Sequence, residues 1–410
     1  MKMKCLGICS LGLRIILLAG ATAGAVEQEE LGRIRIEAGP QERTSGLVQC
    51  RLPQAWRDID HLTLVVVDDG TKVVAQRSTL FPQQLCWMLE TPLPAKTSRE
   101  YRVLRSPAPK PSMTCKDQSG KIVIAAQGHP ILTYHHETAQ PPAEISSIYQ
   151  RSGFIHPLQT PGGRVVTDDF PPDHAHQHGL FRAWVNTKFM GEKVDFWNQS
   201  GKTGNVKHSR LGQLTSGPVF AEFTVHLEHQ QLLPEGQSRT ALHEQWSVRA
   251  YQDQGVFVVD LLSEQQAATH SPLQIMEYHY GGFALRGHRD WNADSKFSFL
   301  TSEGKDRLKG NHSRPNWVLM TGPVDDDWAS CLAMGHPENF RHPQPVRLHP
   351  KMPYFCFAPM VLGEFSITQN ASFESRLRIV VADGQMTPES ANRLWAEYSA
   401  PIQTTVRPLP

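Results

Sequence analysis

The feature that most constrains this chain is strict two-residue alternation across its middle. Val219, Ala221, Phe223, Val225 and Leu227 point one way, and Glu222, Thr224, His226 and Glu228 the other. A 3.6-residue helix cannot sort these residues onto two faces, but a half-buried strand does so automatically. Leu242, Glu244, Trp246, Val248 and Ala250 repeat the pattern against His243, Gln245, Ser247, Arg249 and Tyr251. The Pro234-Glu235-Gly236 turn between the two runs predicts a hairpin, and Val256–Leu262 follows closely enough to extend it into a three-strand meander. Further short β-rich runs separated by turn signals lie upstream, at 34–36, 62–67, 72–74, 101–104 and 122–124. With no alternation of strands and helices, Rossmann and TIM architectures are disfavoured. The one convincing helix is C-terminal, with Thr387 as N-cap, Pro388 at the first position, and Ala391, Leu394, Trp395 and Tyr398 at helical spacing.

A length of 410 residues exceeds one ordinary core, so a large β unit with a smaller module is expected. Pro-rich joints at 106–111 and 140–142 place a soft boundary near 130, dividing an N-terminal β module (26–130) from the main unit (131–410). Lys+Arg 41 against Asp+Glu 40 leaves a net charge of +1 and no basic stripe, which argues against a nucleic-acid partner. Residues 1–25 read as a signal peptide: Lys2 and Lys4, an apolar stretch through Leu18, and small residues around Ala21–Ala25. That stretch is too short for the ~20 residues of a spanning helix, and no later run reaches that length, so a periplasmic or secreted protein is expected. Beyond it stand Cys50, Cys86, Cys115, Cys331 and Cys356. One bridge among the first three and fully reduced, buried thiols are both open.

Chemistry concentrates between residues 156 and 198. The loop His156–Gly163 and the run Asp173-His174-Ala175-His176-Gln177-His178 carry too much Pro, Gly and His for a core strand. If that run is extended, its three histidines share a face at ~6.6 Å intervals, the outer pair ~13 Å apart. One metal then takes two of them. A His pair from His174, His176 and His178 with a carboxylate (Asp168, Asp169, Asp173 or Asp195) would suit Zn²⁺ or a similar divalent ion. Without metal, the same imidazoles beside Asp173 can act as general acid and base; the plainer alternative is that they satisfy loop carbonyls. Downstream, His279 and Arg286 flank a Gly281-Gly282 break where a ligand can approach closely, and His336 and Asn339 lie in a polar loop that could orient a hydroxylated ligand. His156, Arg182 and Trp184 complete the substrate-binding candidates. No nucleotide-binding fingerprint is present, so no nucleotide cofactor is expected.

Several of these segments together resemble the PmoA-like family of exported bacterial proteins. They are His156-Pro-Leu-x-Thr-Pro-Gly-Gly, Asp173-His-x-His-x-His-Gly-Leu, Ala183-Trp184, Asp195-Phe-Trp, Gly281-Gly-Phe with Arg286, and Leu377-Arg378-Ile-Val-Val-Ala-Asp383-Gly384. The resemblance spans roughly residues 130 to 385. The family label borrows from a membrane methane monooxygenase subunit, an activity excluded for a chain without spanning segments. Proteins of this family have no settled reaction and tend to resemble members of carbohydrate-degradation systems. The expected architecture is therefore mostly β: a large antiparallel β-sandwich similar to the galactose-mutarotase-like supersandwich, with a smaller N-terminal β-sandwich module and a C-terminal helix. The expected function is an exported carbohydrate-active enzyme performing glycoside hydrolysis, elimination or epimerisation on a small-molecule or oligosaccharide substrate. A non-catalytic carbohydrate- or surface-binding protein is the alternative.

Overall fold

The computed structural model describes residues 29–81, 83–292 and 296–409, so the expected signal peptide lies outside the described residues. The protein is mostly antiparallel β, as the alternation requires. Ala221–Leu232 and Ser238–Asp253 form the expected hairpin, with Val225 opposite Trp246, and Val256–Ala267 adds the third strand, with Leu261 opposite Val248. Phe373–Asp383, Asp327–Gly335, Trp317–Val324 and Ser298–Thr301 continue this sheet on one side, and Gly204–Thr215 closes the other. A second eight-stranded sheet runs from Val346–Leu348 to Met113–Gln118, with Gly282–Arg286, Leu180–Ala183 and Phe154–Leu158 near its centre.

Between the two sheets lies the main core. Phe223, Val225, Trp246, Val248 and Leu261 from one sheet join Phe154, Ile155, Phe181, Phe283 and Leu285 from the other, each 4% exposed or less. Burying apolar area of this extent is the dominant favourable contribution to such a sandwich. All named strand pairs in the described residues are antiparallel.

A seven-stranded N-terminal sheet carries its own core of Ile34, Ile36, Leu64, Trp87, Tyr101 and Val103. Its membership differs from a simple cut at residue 130. Met113–Gln118 and Lys121–Ala126 pair into the large sandwich, while Gln403–Pro408 returns to pair with Glu30–Glu37 at the chain's other end. Local sequence cannot show this, because strand pairing is settled by partners hundreds of residues away. The C-terminal helix Pro388–Ser399 starts as expected, the Thr387 hydroxyl accepting the Ser390 N–H at 3.2 Å. It buries Ala391 against a third cluster containing Trp317, Leu332 and Val380. All five cysteines beyond residue 28 are buried free thiols, which settles the open alternative in favour of reduced cysteine.

The outward residues of the meander are not all wet, contrary to a simple inside-outside reading. Glu222 and Arg249 face away from the main core, yet are 0% and 4% exposed because the N-terminal sheet covers them. Glu222 accepts hydrogen bonds from the Thr79 amide (2.6 Å), the Thr79 hydroxyl (2.8 Å) and Arg249 Nε (3.0 Å), while Arg249 Nη2 donates to the Ser78 hydroxyl (2.7 Å). Nearby, Gln76 clamps the Val219 and Phe220 backbone through its side-chain amide. Removing one partner of a buried ion pair leaves the other charge unsolvated. Glu222→Ala should therefore lower stability by about 3–5 kcal/mol in urea unfolding, whereas Glu222→Leu with Arg249→Met should cost much less. A single-variant loss below about 1 kcal/mol would show that this network does not hold the modules together.

Candidate functional site

The histidine-rich run is not extended. Pro171 and Pro172 interrupt any ladder, and two successive turns form, the His174 amide donating to the Pro171 carbonyl (3.0 Å) and the Gln177 amide to the His174 carbonyl (2.9 Å). The turns bring the His174 and His176 rings to 5.5 Å, while His178 re-enters the sheet in the opposite direction. Gly179 makes the re-entry possible: at φ +37° its backbone lies so close to strand Phe154–Leu158 that a Cβ would stand 2.1 Å from the Ile155 carbonyl.

His178 is 0% exposed, packed between Phe154 and Phe170, and its Nδ1–H donates to Asp169 at 2.6 Å. Burial, then Arg151, pushes its pKa well below the ordinary histidine value, so the ring is neutral. Burial also pushes the Asp169 carboxyl up to about 6. Beside it, Asp168 accepts two hydrogen bonds from Arg289 (3.0 and 2.8 Å). His156 backs the loop, Nδ1 to the Thr167 hydroxyl at 3.0 Å, and burial lowers its pKa to about 4.

His174, His176 and Asp173 line a cleft of about 420 Å³ with Glu144, Tyr149 and Asn198 on its other walls. The Tyr149 ring centre is 6.5 Å from that of His176. Burial, reinforced by the neighbouring His174 and His178, brings the His176 pKa down to about 3. Partial burial raises the Asp173 carboxyl, but contact with His174 and the Arg286 guanidinium outweighs this and holds it well below the carboxylate range. His174 Nδ1 stands 3.4 Å from Asp173 Oδ2. His349 closes on His174, ring centres 6.2 Å apart, and its Nδ1 accepts the Met352 amide at 3.0 Å, which leaves the proton on Nε2. Burial, then Arg347, holds its pKa near 4.

The other expected site residues are dispersed. Arg286 is 4% exposed and anchors the loop from its strand, donating to Asp173 (3.1 Å) and to the Gln177 side chain (2.9 Å). Arg182 and Trp184, each 1% exposed, belong to the sealed core and not to a ligand surface. Arg182 donates to Ser263 and Ser375 and faces Glu244 at 3.6 Å, while the Trp184 indole donates to Gln265 at 2.9 Å. His279 is exposed between Tyr278 and Tyr280, and connects to the cleft only through the Tyr280 hydroxyl, 3.0 Å from Asn198. Asn339 is a backbone staple, exchanging hydrogen bonds with the Arg376 main chain at 2.8 and 2.7 Å. His336 lines a separate cleft beside the Tyr398 ring.

The expected metal set does not fit this geometry. His178 is turned away and committed to Asp169, Asp195 caps the Trp197 and Asn198 amides, and Asp168 and Asp169 lie behind the loop with Arg289 and His178. Among the described residues no group of three or more His, Cys, Asp or Glu gathers closely enough to hold an ion. Tyr149, Asn198 and His349 escaped sequence reading for lack of a local signal: Tyr149 follows a Pro-Pro joint, Asn198 reads as a sequon, and His349 precedes an ordinary Pro turn.

Depressed histidine pKa values make stability fall in acid. The unfolded imidazoles take up protons near pH 6.5, whereas folded His156 and His349 wait until about 4 and His176 until about 3. Each contributes stability that is present above about pH 6.5 and lost as pH falls, by up to roughly 1.4 kcal/mol per pH unit for His156 and His176 and by less for the half-buried, solvent-screened His349. Asp169, raised to about 6, works in the opposite sense between its unfolded value and 6, but one carboxyl does not offset three imidazoles. Urea midpoints should drop steadily from pH 7 to pH 4.5, and His156→Phe should flatten the slope; a midpoint constant over that range would contradict the burial of these rings.

A family model described as a family of unknown function, DUF6807, matches residues 121–396, and the chain belongs to that family. No curated protein matches. Among solved structures, a galactose mutarotase related enzyme from Lactobacillus acidophilus aligns over 67% of this chain and 98% of its own, at 9% identity and a TM-score of 0.30. No helix among the described residues is long and apolar enough to cross a membrane.

Proposed function

We propose that this DUF6807 protein is an exported carbohydrate-active enzyme whose acid–base groups are His176 and His174. The observation that carries the reading is the cleft itself: two imidazoles held at 5.5 Å by tandem turns, with a carboxylate, a phenol and an amide around one open space. Such a wall offers donors and acceptors to hydroxyl groups and little to an apolar ligand. His176, kept unprotonated, is placed to take a proton from water in hydrolysis, from a sugar carbon in elimination, or from a sugar carbon or hydroxyl in epimerisation, and a second group of the cleft gives one to the departing oxygen in the first two cases or back to the sugar in the third. Arg286 acts through the loop: by gripping Asp173 and Gln177 it fixes the turn from which both imidazoles project. Hydrolysis, elimination and epimerisation share this proton traffic.

A panel of glycosides and free sugars tests the reading. For any substrate turned over, His176→Ala should lower kcat/KM by about 10²–10⁴-fold, the usual contribution of a positioned acid or base. His279→Ala, on the exposed rim, should change it by only a few-fold. Protonation of His176 should not itself reduce wild-type kcat/KM between pH 7 and pH 5, because this ring takes its proton only near pH 3; an acid limb in that range that persists in His174→Ala would contradict this. Turnover unaffected by His176→Ala removes this mechanism; sugar binding without turnover of any panel member makes the protein a binder.

A further inference from the structure

A second cleft, larger than the first at about 600 Å³, runs between the N-terminal sheet and the outer face of the meander, closed at one end by the C-terminal helix. Its floor is the outward stripe of Ser247, Arg249, Tyr251 and Asp253, each under 9% exposed. A face covered by another module would ordinarily be apolar, and this one is not. Most of the charges in the cleft are committed, while Arg43 donates to the Ala38 carbonyl, Glu397 accepts from the Thr44 hydroxyl, and neither these two nor Asp253 has an ion pair among the described residues. Arg378 grips Asp260 through two hydrogen bonds (2.6 and 2.8 Å), Arg249 is paired with Glu222 at 2.9 Å, and Arg376 is held by Glu338 and Glu374. The Tyr251 side chain is different. It is 1% exposed and lines the cleft, yet its hydroxyl has no hydrogen-bond partner among the described residues. Opposite the polar floor stand Leu47, Leu80, Phe81 and Ile402, and His336 and Tyr398 sit at the rim.

We propose that this inter-sheet cleft is a second ligand site, separate from the histidine cleft, that takes a neutral oligosaccharide of two or three rings. Asp253 and Glu397 line the cleft with no ion-pair partner among the described residues, so a further negative charge is disfavoured there. An unfilled phenol beside a serine hydroxyl supplies hydrogen bonds to sugar hydroxyls, and the apolar wall suits the C–H face of a pyranose ring. The volume lies within the ~300–1,000 Å³ of ordinary ligand sites, and the position between two modules is where such sites concentrate. The cleft shares no lining residue with the histidine cleft, so the two sites can be tested separately.

Isothermal titration of the full-length chain with maltotriose, cellotriose, xylotriose and chitotriose tests this, with tri-galacturonate as the anionic control. Two substitutions obstruct the cleft: Ser247→Leu from the floor, and Gln403→Trp from an exposed rim position that leaves the core untouched. At least one neutral trisaccharide should bind, tri-galacturonate should not compete for its site, and Gln403→Trp should weaken it at least ten-fold whether or not Ser247→Leu folds. His176→Ala should leave that binding unchanged. Binding lost in His176→Ala but kept in Gln403→Trp would assign the sugar to the histidine cleft and overturn the proposal. Failure of all four neutral trisaccharides at millimolar concentration would overturn it as well.

Discussion

A guanidinium buried at the end of a strand cannot remain unpaired, and the site depends on how Arg286 meets that demand. Its strand lies near the middle of an eight-stranded sheet, so the position of its side chain is set by the sandwich core. By taking Asp173 and the Gln177 amide as partners, it draws a turn-rich surface loop down onto a rigid sheet. The two imidazoles of the cleft are then placed by the sheet and not by the loop's own preferences. This is the usual way in which irregular backbone acquires definite geometry.

The same constraint recurs elsewhere. Arg249 takes Glu222 where the N-terminal sheet rests on the meander, and Arg182 takes Glu244 together with two serine hydroxyls at the centre of the sandwich. Asp383 closes the Thr160–Arg164 turn, accepting the Thr160 hydroxyl (2.6 Å), the Gly162 amide (2.7 Å) and Arg164 (2.7 Å). The Thr-Pro-Gly-Gly and Asp-Gly segments, more than two hundred residues apart, thus meet in space. Their chemistry is closure of a turn.

Separation of this kind along the chain explains which parts of the molecule were legible from sequence. Alternation identified the meander, its hairpin turn and its inward face, because period-2 burial is a local property of each strand. The helix was legible from Thr387 and Pro388 for the same reason. Arg182 and Trp184 were assigned to ligand binding because a charged and an aromatic residue follow the histidines; only the pairing of Ser263, Ser375, Gln265 and Glu244 around them reveals two core residues. The histidine run folds with a backbone other than the extended one its sequence suggests. Extended geometry would have put His174, His176 and His178 on one face, whereas the tandem turns keep two and bury the third. Tyr149, His349 and the returning strand Gln403–Pro408 depend on distant partners and leave no periodic trace.

The two clefts differ in how their charged groups are met. In the histidine cleft, burial keeps His176 neutral beside a carboxylate that stays ionised, so proton acceptor and fixed charge stand side by side near neutral pH. In the inter-sheet cleft each of the guanidiniums of Arg249, Arg376 and Arg378 has its carboxylate, and the rest of the lining mixes hydroxyls and ring faces with Arg43, Asp253 and Glu397. The covering sheet that creates this second cleft is fastened at Glu222 and at the Ile34–Val406 ladder, far along the chain from the histidine loop. The two clefts are therefore built by separate elements of one sandwich, and either can be altered without rebuilding the other.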